Sequence, residues 1–322
     1  MRCLPRLLLL VLLLVPVSGG AATGSAFIVA VVRDDGVMLP VATFDRGRWR
    51  MPWPGPAKEA QVPVRLEDCP LAWWGLPAPP RDWVLHTPGD APRRVSADGV
   101  TWVLTHCQQQ VALHSRNARR EPLRPADGDR APKYGAAIAG EADVTVPREV
   151  PVDGPEAAAL LDALQRTFNR EERLMLAGDY FAVYTPSVGG DERDRMPVHA
   201  LSMFAGPGRG GEQVYFVELE RRYPRERPEP LRWCDEVTYM TGWAHRDGKG
   251  AFDLSLITRS VTSCLLDTVV RAVPHAVVHT PKGPVWLVEE YRPGAEAFAL
   301  YMAPDRHGAT MLARRFAGSC TR

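Results

Sequence analysis

Residues 235–263, DEVTYMTGWAHRD-GKG-AFDLSLITRSVTS, decide the fold class of this chain. β-branched and aromatic residues crowd 235–247 and 251–263, and GKG at 248–250 separates them. The stretch therefore reads as two antiparallel strands joined by a three-residue loop. With Gly250 at the last loop position, paired residues sum to 498, which sets Cys234 opposite Cys264. Opposed cysteines at the open end of a hairpin lie within disulfide reach. A loop of about 30 residues closed this way stabilises a fold by roughly 3–4 kcal/mol. Cys234–Cys264 is the structural disulfide expected from the sequence.

The same alternation extends both ways along the chain. Downstream, HAVVHT (275–280), PVWLVEEY (284–291) and AEAFALYMA (295–303) are separated by turns at Pro281-Lys282-Gly283 and Pro293-Gly294. Upstream lie YFAVYT (180–185), VHALSMF (198–204) and QVYFVELERRY (213–223). Nearer the start, FIVAVVR (27–33) and VMLPVATF (37–44) reverse at Asp35-Gly36 and Arg46-Gly47, while DWVLH (82–86) and VTWVLTH (100–106) flank Asp98-Gly99. One helix stands out. Gly154 or Asp153 suits its cap, Pro155 its first turn and Glu156 its positive end. Leu160, Leu161, Leu164 and Phe168 recur on one face that should pack on the C-terminal sheet. Helical residues continue through EERLMLA (171–177), with a break expected near Asn169. The expected fold is mainly β (α+β), built of antiparallel hairpins and meanders with one added helix or helical hairpin.

Composition divides the chain further. Residues 1–22 begin with Arg2 and Arg6, continue in an apolar run from Leu7 to Val17 and end in small residues, the layout of a signal peptide. The run is too short for a transmembrane helix, which needs about 20 residues. Cleavage fits after Ala22 or Ala26. The expected location is secreted or periplasmic, with no transmembrane segment in the mature chain. Residues 27–114 form a Trp-rich β region, and 151–322 a helix plus antiparallel β domain. Between them, 115–150 is charged and punctuated by Pro and Gly, and reads as a linker or long surface loop. Loss of Arg2 and Arg6 takes the formal charge from +1 to −1. A near-neutral chain has no bulk electrostatic draw to nucleic acid.

Export places Cys69, Cys107, Cys234, Cys264 and Cys320 in an oxidising compartment. If Cys234 and Cys264 pair, one further bond can form, and Cys69 with Cys107 is the pairing favoured by proximity in sequence. A free Cys107 beside His106, with His86 or His114 as base, is the thiol-nucleophile alternative. Disulfide bonding of Cys107 is the expectation.

The remaining motifs carry little chemistry. GPGRGG (206–211) is followed by a strand rather than a helix, so it reads as a hairpin connection, not a phosphate loop. His275 and His279 lie on a strand, where four residues span about 13 Å, too far to share one tetrahedral ion. Glu218, Glu220 and Glu289 could form a sugar-cleaving carboxylate pair. Acids alternating with apolar residues are, however, the usual solvent side of a half-buried strand. No cofactor and no metal are expected.

Six of nine tryptophans fall between Trp49 and Trp102. Trp73, Trp74, Trp53 and Trp83 are the candidate binding residues, since indole rings beside Pro-rich loops can grip a glycan or an envelope protein. Core packing is the competing role, except that one of the adjacent Trp73 and Trp74 should meet solvent. The expected function is binding or interaction at the cell envelope. The rival is a secreted or periplasmic hydrolase whose site is assembled from distant strands.

Overall fold

The computed structural model describes residues 26–57, 65–120, 130–177, 190–223, 236–247, 249–263, 266, 269–305 and 307–320. The first eight strands are β1 (Phe27–Arg33), β2 (Asp35–Asp45), β3 (Arg48–Arg50), β4 (Asp82–His86), β5 (Arg93–Ser96), β6 (Gly99–Thr105), β7 (Gln108–Arg119) and β8 (Lys133–Ala139). Two short strands follow, β9 (Asp143–Thr145) and β10 (Arg148–Glu149), then helices α1 (Pro155–Leu176) and α2 (Gly190–Arg195). The chain continues through β11 (His199–Pro207), β12 (Gln213–Tyr223), β13 (Glu236–Arg246) and β14 (Phe252–Ser263). It ends with β15 (Arg271–Thr280), β16 (Gly283–Arg292), β17 (Ala295–Asp305) and β18 (Gly308–Ser319).

These strands pair antiparallel into three sheets. The N-terminal sheet has the order β5-β4-β8-β1-β2-β7-β6, with β3 on β2. The central sheet runs β18-β17-β16-β15-β9, and the outer sheet β10-β11-β12-β13-β14. Period-two alternation assigns each strand two faces, and the buried clusters show what each face meets. On β1, Phe27, Val29 and Val31 face Val278, Leu287 and Leu300 of the central sheet. Its alternate residues, Ile28, Ala30 and Val32, face Trp53, Trp74 and Trp83. On β16, Val285 and Leu287 meet the N-terminal sheet, whereas Trp286 and Val288 meet Phe216 and Trp243 of the outer sheet. The far face of the outer sheet carries α1 through Leu160, Leu164 and Phe168. The result is a five-layer stack: Trp-rich loops, N-terminal sheet, central sheet, outer sheet, helix. Among the described residues, no helix is long and apolar enough to cross a membrane.

α1 is one continuous helix of 22 residues, capped by the backbone at Gly154 with Pro155 in the first turn, and it has no break at Asn169. GPGRGG lies in the hairpin joining β11 to β12. Beside the 248–250 loop, β13 and β14 pair to a sum of 498, from Arg246↔Phe252 to Gly242↔Leu256. A bulge beyond Gly242 shifts the register to Thr241↔Thr258 and Glu236↔Ser263. Cys234, Cys264, YFAVYT and the leader lie outside the described residues.

The expected linker, residues 115–150, is corrected. Its first residues complete β7, and KYGAAIA forms β8, a fully buried strand between β4 and β1. Small side chains hid this strand from a reading based on large apolar residues. At Gly135 the small size is required, since a Cβ there would lie 2.4 Å from the His86 carbonyl oxygen. Beyond β8 the same stretch pairs β9 with β15 and β10 with β11, so it stitches all three sheets together.

Candidate functional site

The interface between the N-terminal and central sheets is apolar along its length but differs at its two ends. One end is charged. Glu289 of β16 is fully buried and receives a bidentate pair from Arg130 at 2.6 and 3.0 Å. It also accepts from Lys133 Nζ at 3.0 Å and contacts His275 Nε2 at 2.9 Å. Lys133 reaches Glu296 of β17 as well, at 2.7 Å. Two bulges aim these groups. The register shifts between Gly135 and Lys133 on β8 and between Pro274 and Ala276 on β15, turning Lys133 and His275 into the same inter-sheet space. Burial works to raise the Glu289 carboxyl, but Lys133, His275 and Arg130 hold it well below the ordinary range.

The central–outer interface has a similar cluster. Glu218 accepts from Tyr239 Oη at 2.6 Å, Ser202 Oγ at 2.9 Å and Arg271 at 3.0 Å. Tyr291 joins the two clusters, with the Arg130 guanidinium 4.0 Å and the Arg271 guanidinium 5.7 Å from its ring centre. Glu220, also buried, is clamped by Arg222 at 2.6 and 2.9 Å. The solvent-face expectation for Glu218, Glu220 and Glu289 is therefore overturned. In a chain of stacked sheets both faces of a central strand are covered, so its alternating acids must be ion-paired instead. A general acid or base has to come within hydrogen-bond reach of its substrate. Glu218 and Glu289 are sealed and already saturated by their own cations.

The other end of the interface opens into a cleft of about 670 Å³. Strand ends from five segments line it: Phe27 of β1, Phe44 of β2, Val84 and His86 of β4, Ile138 of β8, and His279 with Pro281 at the end of β15. The turn from β8 to β9 contributes Glu141, Ala142 and Asp143. Phe27 and Phe44 stack with ring centres 5.1 Å apart and form the floor. His279 lies opposite Asp143 in the β15–β9 ladder and shares a 2.9 Å hydrogen bond with Thr145 Oγ1. His86 is 9% exposed, and its ring has no hydrogen-bond partner among the described residues. Burial lowers its pKa, so the imidazole is neutral at pH 7. An apolar floor with a few convergent polar groups and a perturbed titratable residue is the form of a small-molecule site.

The sequence-derived candidates fall elsewhere. Trp53, Trp74 and Trp83 are buried in the core beneath the N-terminal sheet. Trp53 donates to Val111 O at 2.9 Å and packs edge-on against Trp74 at 4.8 Å. Trp73 is half-buried at the rim of the same cluster, so it alone of the four keeps a solvent edge. As a contact surface the set is corrected: these rings fill the space that a loop layer with few Leu and Ile leaves. Cys107 is bonded to Cys320, with Cα atoms 4.6 Å apart, and Cys69 is a buried free thiol. That overturns the Cys69–Cys107 pairing and removes the nucleophile alternative. His275, in the middle of β15, and His279, near its end, engage different partners, Glu289 and Thr145. Of the cleft residues, the sequence singled out His86 and His279, each for another purpose. No local signal marks Phe27, Phe44, Ile138 or Asp143 as neighbours.

No protein-family model, curated protein or solved structure matches the chain.

Proposed function

We propose that this chain is an exported binding protein of the cell envelope that holds a small ligand in the cleft between its N-terminal and central sheets. The observation that carries the reading is the His86 ring, unpartnered among the described residues, which lines a cleft of about 670 Å³ together with the stacked Phe27 and Phe44. Such a volume falls within the usual range for small-molecule sites, roughly 300–1,000 Å³. The residues that would have favoured a hydrolase are engaged elsewhere, Glu218 and Glu289 in ion pairs and Cys107 in a disulfide. Export is supported by the leader pattern of residues 1–22 and by the Cys107–Cys320 bond, which suits an oxidising compartment.

The test uses an uncharged fluorescent probe, N-phenyl-1-naphthylamine. It should bind the wild-type protein at one site per chain with enhanced emission. Val84 is half-buried on the cleft wall, so Val84→Trp fills the cleft from its edge without opening the core. That variant should weaken probe binding at least tenfold at unchanged thermal stability. Absence of binding, or binding indifferent to Val84→Trp, overturns the cleft. Recovery of the chain from the cytosol with its N-terminal residues intact overturns export.

A further inference from the structure

A second, much smaller space lies at the charged end of the same interface. Arg33 of β1, Leu39 of β2, Thr105 of β6, Lys133 of β8 and Glu296 of β17 are among the residues that line it. Three of them each carry a buried polar atom with no hydrogen-bond partner among the described residues: Arg33 Nε, Thr105 Oγ1 and Glu296 Oε1. Other atoms of these side chains are engaged. Arg33 Nη2 donates to Asp35 at 2.7 Å, and Glu296 Oε2 accepts from Lys133 at 2.7 Å. Lys133 has no proton to spare, since Nζ also donates to Ala131 O at 3.1 Å and to Glu289 at 3.0 Å.

Buried polar groups left unpaired are costly, and native interiors pair nearly all of them. The three orphaned atoms are one N–H donor, one carboxylate acceptor and one hydroxyl that serves as either. A single water complements the set: it accepts from Arg33 Nε, donates to Glu296 Oε1 and uses its remaining proton or lone pair on Thr105 Oγ1. The space suits that occupant, with room of about 10 Å³ for the centre of a water molecule. A buried water needs about that much, and it typically makes about three hydrogen bonds. We propose that this cavity binds one internal water, which bridges Arg33, Thr105 and Glu296 and so ties β1 and β6 of the N-terminal sheet to β17 of the central sheet. The bridge fastens the end of β6 close to the Cys107–Cys320 bond, where a Cβ on Gly318 of β18 would lie 2.4 Å from the Thr105 carbonyl oxygen. The site lies at the far end of the interface from the cleft and does not depend on a ligand there.

Crystals of the full chain test the wild type without any variant. At atomic resolution, one solvent peak is expected within about 3.2 Å of Arg33 Nε, Thr105 Oγ1 and Glu296 Oε1 together. No peak there, or direct pairing of these atoms with protein groups, overturns the site. A peak with the anomalous signal of chloride overturns water as its occupant. In solution, magnetic relaxation dispersion of the solvent counts long-lived internal waters. Thr105→Met extends an unbranched side chain into the cavity and should lower that count by one with unchanged circular dichroism. An unchanged count in the folded variant overturns the proposal. Thr105→Val keeps the side-chain shape and separates the two cases by sign. If the hydroxyl binds water, its loss should lower the urea midpoint. A midpoint equal to or above that of the wild type marks a hydroxyl with no water to hold and overturns the bridge.

Discussion

Lys133 and Glu289 lie 156 residues apart and in different sheets, yet the ammonium sits 3.0 Å from the carboxylate with both groups buried. The contact fastens β8 of the N-terminal sheet to β16 of the central sheet at the charged end of their interface. Removing one partner of a buried pair leaves the other charge uncompensated, at a cost of about 3–5 kcal/mol. Lys133→Met should therefore lower the unfolding free energy by roughly that amount in urea denaturation. Lys133→Met/Glu296→Leu removes a charge of each sign and should recover part of the loss. A Lys133→Met protein as stable as wild type would show that Arg130 and His275 suffice for Glu289.

Cys107, in the β6–β7 turn, and Cys320, just past β18, close a loop across 213 residues of sequence. The chain-entropy argument gives about 5 kcal/mol for a loop of this size. Cys107→Ser/Cys320→Ser should lose a large fraction of that, read as a lower denaturant midpoint. Cys69 should behave oppositely. Burial, with Asp68 and Glu67 nearby, pushes its thiol up to about 11, so little thiolate forms at pH 8. Iodoacetamide should leave Cys69 unmodified in the native protein by peptide mapping and alkylate it once denaturant is added.

Adjacent tryptophans should respond differently to truncation. Trp74 is fully buried against Trp53, whereas Trp73 is half-buried at the cluster rim. Trp74→Ala should cost about 3–5 kcal/mol and Trp73→Ala roughly 1 kcal/mol. Neither should alter naphthyl-probe affinity in protein that remains folded. Weaker probe binding in a folded Trp73→Ala variant would return that ring to the list of contacts.

Stability should decline in acid in two steps. Burial keeps the His275 imidazole below its ordinary 6.5 despite Glu289. The unfolded chain thus takes up the proton first, and stability falls as pH drops below about 6.5. His86, shifted the same way, adds to this limb. Glu289 acts lower, its contribution present above about 4.5 and lost as pH falls through its depressed native value. Glu296 opposes it, because burial raises its native value and its ionised form costs stability as pH rises. Denaturation of wild type and His275→Asn at several pH values checks the first step. The variant should show a shallower decline between pH 6.5 and 4.5, and a decline of wild-type slope would assign that limb elsewhere.

Local pattern reached far into this fold. The alternation in QVYFVELERRY and PVWLVEEY marks strands, and Pro155 with the Leu160–Leu164–Phe168 face marks the helix. The Gly250 loop even sets the hairpin register near the turn. Pattern failed where the neighbour decides the outcome. Glu218 and Glu289 look like solvent-side acids because their counter-ions, Arg271 and Arg130, are remote in sequence. KYGAAIA looks like linker because it has few large apolar residues, and its Gly135 is explained only by the close passage of the His86 backbone.

The sequence by itself determined the antiparallel strands, the helix and the buried stripe on each, because these depend on spacing between residues a few positions apart. Tertiary structure alone decided that the sheets stack, which acids are buried and which cysteine meets Cys107. It also gathered Phe27, Phe44, His86, Asp143 and His279 around one cleft. Those outcomes depend on which faces pack together, and a linear chain carries no local record of that.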